Sequence, residues 1–149
     1  MKKRLYKVVT VIALLIVAGL SSANAQTPSG MQLKANIPFA FNVGNKTMPA
    51  GEYSVSCTNP SSDIKVLQLR SRNGHERALV PTGSVIGRSQ DDGKLVFSRY
   101  GDHYFFAQAW LPSEPIGMQA RRSRGEKQLE RELAVHNLSK ETIAVIAAR

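Results

Sequence analysis

The chain predicts an all-β fold: a small barrel or sandwich of about seven to eight short antiparallel strands, with one C-terminal amphipathic helix. Three features carry this. Apolar and polar residues alternate at period two through most of residues 33–111. Turn-forming residues interrupt the alternation roughly every 8–12 residues, the spacing of sandwiches and small barrels. From Ser123 the apolar period changes to that of a helix.

The elements follow in order. Leu33, Ala35 and Ile37 alternate with Lys34 and Asn36, and Phe39, Phe41 and Val43 continue after Pro38 shifts the phase. Proline has no ladder donor, so this strand is expected at an edge or bulged. Met48-Pro49-Ala50-Gly51 is a turn, with proline pre-set and glycine free to take positive φ. Glu52 to Thr58 is the next strand, and residues 59–63 form a loop. Ile64 to Ser71 and Glu76 to Pro81 flank Arg72-Asn73-Gly74-His75, where Asn-Gly between apolar runs signals a hairpin. Gly83 to Gly87 reads as a further short strand.

Gln90-Asp91-Asp92-Gly93 turns the chain into Lys94 to Tyr100, and Tyr100-Gly101-Asp102-His103 turns it into Tyr104 to Leu111. Strict alternation sets Tyr104, Phe106 and Trp110 on one face and Phe105 and Leu111 on the other. Strands apolar on both faces are central and covered twice. The second cover is the helix, expected across one end of a barrel. Ser123-Arg124-Gly125-Glu126 has capping-box spacing, Leu129 and Leu133 lie one turn apart, and His136-Asn137 ends the helix over 124–135. His136 then answers the C-terminal dipole. Thr142 to Ala148 is the last strand.

The first 25 residues read as a cleavable secretory signal peptide. Lys2, Lys3, Arg4 and Lys7 precede an apolar run from Val8 to Leu20, and Ala23-Asn24-Ala25 fits a signal peptidase site before Gln26. The run is shorter than the ~20 residues of a spanning helix. Residues 26–32 are then a loose N-terminus, and 33–149 form a single β-rich domain. Cleavage removes four of the 20 basic residues and none of the 11 acidic ones, lowering the net charge from +9 to +5. That balance suits acidic envelope surfaces and is too weak and dispersed for nucleic acid. The lone cysteine, Cys57, shares a strand face with Tyr53 and Val55 and reads as a buried small hydrophobe.

Three motifs form an ordered set: Ile37-Pro38-Phe39-Ala40-Phe41-Asn42-Val43-Gly44, Met48-Pro49-Ala50-Gly51-Glu52-Tyr53, and Tyr100-Gly101-Asp102-His103-Tyr104-Phe105 with Trp110. With the Ser123–Leu133 helix, they resemble a group of small, uncharacterised exported bacterial proteins. The resemblance spans most of residues 33–134. It implies export and imports no activity, substrate or catalytic residue.

Catalytic and cofactor patterns are not legible. His75, His103 and His136 have no metal-ligand spacing, and no zinc site is expected. Asp91-Asp92-Gly93 lacks the further acidic ligands of a calcium loop. There is no phosphate loop and no nucleophile elbow. Asn45-Lys46-Thr47 matches a glycosylation acceptor only formally. Arg121, Arg122 and Arg124 are the densest basic segment and the candidate contact for an anionic surface, although Glu126, Glu130 and Glu132 interleave the cations that follow. The expectation is a non-enzymatic binding or structural module, periplasmic or extracellular, without cofactor, metal or membrane span after cleavage. The rival readings are an eight-stranded outer-membrane barrel and a hydrolase using Asp102, His103 and Tyr104.

Overall fold

The computed structural model describes residues 32–135 and 139–148. Its chain is mostly β: β1 (Gln32–Ile37), β2 (Phe41–Val43), β3 (Lys46–Met48), β4 (Gly51–Cys57), β5 (Lys65–Ser71), β6 (Arg77–Ile86), β7 (Gly93–Tyr100), β8 (His103–Trp110), β9 (Ile116–Ala120) and β10 (Glu141–Ala147), with helix α1 (Arg124–Val135) between the last two strands. The predicted signal peptide, the predicted cleavage residues Ala23, Ala25 and Gln26, and the predicted helix end at His136 lie outside the described residues.

The strands form one mixed sheet. Antiparallel ladders run β1-β4-β5-β6-β9-β8-β7-β10, and the β2–β3 hairpin branches from β8. The curl brings β10 back to β1 at one bridge, where Lys34 and Ala148 exchange backbone hydrogen bonds of 2.7 and 2.8 Å. Continuous pairing does not close the sheet there.

Among the described residues there are ten strands rather than seven or eight, and one pairing is parallel, Asn42 of β2 beside Phe105 of β8. Pro38 accounts for the parallel pairing and for the extra strands β2 and β3, while β9 forms where the sequence predicts loop. Residues 38–40 leave the ladder, so the predicted first strand splits. Its second half turns back on Lys46–Met48 through Gly44, whose φ of 61° suits the first central position of a tight hairpin. Next, the two short strands predicted over 76–87 are one strand, β6. Its first half pairs β5 and its second half β9, with Thr82 in both ladders. Pro81 lies one residue before the β9 ladder begins, so its missing N–H interrupts nothing on that side.

The faces of β8 also depart from strict alternation. The register shifts between Val96/Gln108 and Phe97/Phe106, leaving Ala107 as an extra residue. Such a bulge reverses the side-chain phase beyond it. Phe106 and Ala109 therefore face the core, while Trp110 joins Phe105 and Gln108 on the outer face.

The core holds Leu33, Ile37, Phe41, Met48, Leu67, Leu69, Leu95 and Phe97, all fully buried. Each such side chain contributes about 1.5–3 kcal/mol through burial. Phe97 is the hub of edge-to-face contacts with Phe39, Phe41 and Phe106, at centroid distances of 5.2, 5.3 and 5.9 Å. Cys57 is buried at the end of β4. Helix α1 lies against the outer face of β7, rather than across a barrel end. Leu129 and Leu133 are only half-buried; the helix residue fully buried is Glu126.

Candidate functional site

The outer faces of β1, β4 and β5 form a polar trough. Burial alternates strictly along β1, and along β4 from Glu52, which turns Leu33, Ala35, Tyr53 and Val55 inward and their neighbours outward. Register then aligns three outward rows: Gln32–Ser56–Gln68, Lys34–Ser54–Arg70 and Asn36–Glu52. Ser54 and Ser56 on the middle strand are short. Lys34, Gln32, Gln68 and Arg70 on the flanking strands are long. Around Gln32, Lys34, Ser54 and Arg70 the result is a hollow of about 690 Å³ with serine at its floor, and the Ser56–Gln68 row lies beyond its lining. It continues past Glu52 and Arg72 toward the Asn73 turn as a second open hollow of about 550 Å³.

The trough is net positive. Arg72 pairs with Glu52 at 2.6 Å, but both side chains are solvent-exposed, and such a pair contributes little to stability. Lys34 and Arg70 have no ion-pair partner among the described residues. Two cations, amides and hydroxyls on one face can bind an anionic, hydroxyl-rich chain.

The sequence-predicted basic segment lies elsewhere. Arg121 and Arg122 connect β9 to α1, Arg124 opens the helix, and all three are exposed. Arg122 is held by Glu130 at 2.7 Å. Arg121, Arg122 and Lys127 border an open hollow of about 500 Å³ beside Gly83 and Ser84. Arg124 does not border it. The Asp102, His103 and Tyr104 side chains do not converge. Asp102 and His103 are exposed at a turn, whereas Tyr104 faces inward and stacks on Phe39 at 4.0 Å. His75 is likewise an exposed turn residue, its N–H donating to Asn73 Oδ1.

A buried polar pair was not legible beforehand. Ser123 caps α1 as expected, its Oγ accepting from the Glu126 N–H at 3.1 Å. The Glu126 carboxylate accepts from the Tyr100 hydroxyl at 3.3 Å, and the two residues are 4% and 1% exposed. Burial pushes the Tyr100 hydroxyl up to about 12, helped by the charges of Glu126 and Glu130. Burial also raises the Glu126 carboxyl, against the hydrogen bond from Tyr100 and the charges of Lys140 and Arg122.

Both shifts have the same sign for stability. In each interval between the unfolded and folded pKa, the folded chain holds more protons, so stability falls as pH rises. For Tyr100 the contribution is present below pH 10 and is lost toward about 12. For Glu126 the fall begins above the ordinary value of 4.5. The urea midpoint of the native protein should therefore drop more steeply between pH 10 and about 12 than that of Tyr100→Phe. The variant retains the smaller drop due to Tyr53, whose hydroxyl is also raised by burial. Equal drops in the two proteins would remove Tyr100 as the cause.

No model of a known protein family, no curated protein and no solved structure matches the chain.

Proposed function

We propose that this protein is an exported, non-enzymatic binding module of the bacterial cell envelope, and that the trough on β1, β4 and β5 holds an anionic envelope polymer, a carboxylated or phosphorylated glycan. The observation that carries the reading is the row Lys34–Ser54–Arg70: two cations without ionic partners among the described residues, set in register across a serine floor. The N-terminal charge and hydropathy pattern supports export, and the motif resemblance to small exported bacterial proteins supports the bacterial envelope. The curl that meets at Lys34–Ala148 supports a small barrel as the finer description of the fold. Polar rows outside and apolar residues inside favour an aqueous setting over a lipid-facing wall, which needs the opposite arrangement.

Calorimetric titration with polygalacturonate tests this, with neutral dextran as the control. Polygalacturonate should bind, and more weakly as salt screens the trough. The double variant Lys34→Ala/Arg70→Ala should lose about tenfold or more, ~1.4 kcal/mol. The double variant Arg121→Ala/Lys127→Ala should bind within about twofold of the native protein, under ~0.5 kcal/mol. Equal binding of dextran, or a loss confined to the Arg121/Lys127 variant, would overturn the assignment.

A further inference from the structure

We propose that the hollow between α1 and the outer face of β7, β8 and β10 binds a small zwitterion with the size and charge pattern of a free amino acid bearing a small side chain. Its volume is about 200 Å³, and it is more enclosed than the trough. At ~30 Å³ per water it would hold between six and seven waters, room for a small free amino acid together with some water and well below a drug-sized site.

The lining is chosen for polar recognition. Ser98 and Thr142 are register partners across β7 and β10, and Gln108 and Gln119 are register partners across β8 and β9. Two hydroxyls, the Gln119 amide and the Gln108 NH2 therefore border one small space, the Gln108 Oε1 being held by the Trp110 indole N–H at 2.9 Å. Ser98 is 2% exposed, so this floor lies below the molecular surface. The bulge at Ala107 is what turns Gln108 outward into the hollow.

The charges come as one of each sign. Glu126 enters from α1, and Lys140 enters from the segment before β10. Arg122 also borders the hollow, but Glu130 neutralises it at 2.7 Å. Lys140 has no ion-pair partner among the described residues. A simple anion would meet the Glu126 carboxylate, and a simple cation would meet Lys140. A ligand carrying a carboxylate and an ammonium complements both ends. Its apolar part has Val96, Phe106, Ala107 and Ala120 beside it, a short apolar wall that suits a small side chain.

The site is separate from the trough, and its test is separate too. Amide ¹H–¹⁵N spectra of the native protein should be titrated with glycine, L-alanine and D-alanine, with acetate and methylamine as half-ligands. At least one amino acid should give saturable shifts at Gln108, Gln119 and Thr142, with an apparent Kd below about 1 mM. Both half-ligands should bind at least about tenfold more weakly. Lys140→Met and Glu126→Gln should each lose about tenfold or more, while polygalacturonate binding stays at the native value in Lys140→Met. Because Lys140 is exposed, that variant keeps the fold, and its spectrum reports this directly. The proposal is overturned if no amino acid saturates those amides at about ten times that concentration, if acetate binds as well as alanine, or if Lys140→Met binds like the native protein.

Discussion

Phe97→Ala is expected to lower the unfolding free energy by about 3–5 kcal/mol, the range for a large aromatic removed from a packed core. Phe97 is fully buried and touches three other phenylalanine rings at their edges. Truncation forfeits the buried area, leaves a cavity bounded by the rings of Phe39, Phe41 and Phe106, and removes three aromatic contacts of ~0.5–1.5 kcal/mol each. Small domains have only about 5–15 kcal/mol of stability, so this single change approaches global unfolding. Phe97→Leu keeps much of the volume and should cost less than half as much. Urea unfolding of the two variants measures the difference. A loss under about 1 kcal/mol for Phe97→Ala would mean that the aromatic hub is not the centre of the core.

Gly117→Ala is expected to cost about 1–3 kcal/mol through overpacking. A Cβ on Gly117 would lie 2.6 Å from the Trp110 indole. The ring has little room to yield, since Gly87 approaches it as well, and its Nε1–H donates to Gln108 Oε1 at 2.9 Å. The conflict is pairwise, so a double-mutant cycle isolates it. In a Trp110→Leu background the same Gly117→Ala change should cost under about 0.5 kcal/mol. An undiminished cost there would place the strain elsewhere.

Much of the architecture was legible because β periodicity reports burial directly. Leu33, Ala35 and Ile37 face inward as read, and so do Tyr53, Val55 and Cys57. The turns at Gly74 and Gly101 fall where Asn-Gly and Gly-Asp signalled them, both glycines with positive φ. The errors arise where the backbone departs from period two. The bulge at Ala107 has no signature in composition, yet it moves Trp110 to the opposite face. Pro38 was recognised as a disturbance, but the hairpin and parallel contact that follow it depend on tertiary pairing.

The site was less legible than the fold. Arg121, Arg122 and Arg124 stand out because they are neighbours in the chain. The trough residues Lys34, Ser54 and Arg70 are scattered over 36 positions and become a row only through the registers of β1, β4 and β5. Alternating Ser54 and Ser56 was the available signal, and it marks a low floor only once the flanking strands are known. Glu126 illustrates a second limit. Capping-box spacing identified the helix start correctly, but the Tyr100 hydroxyl, 26 residues away, is what its side chain meets.

An anionic polymer is expected to lie along the serine-floored trough. Amide shift mapping with short oligogalacturonates tests it most directly, because it locates the ligand rather than only detecting it. Perturbations are expected to concentrate at Lys34, Ser54, Ser56 and Arg70, along one outer face of three adjacent strands. Perturbations centred on Arg121–Lys127, or none during a titration that calorimetry shows to be binding, would contradict it.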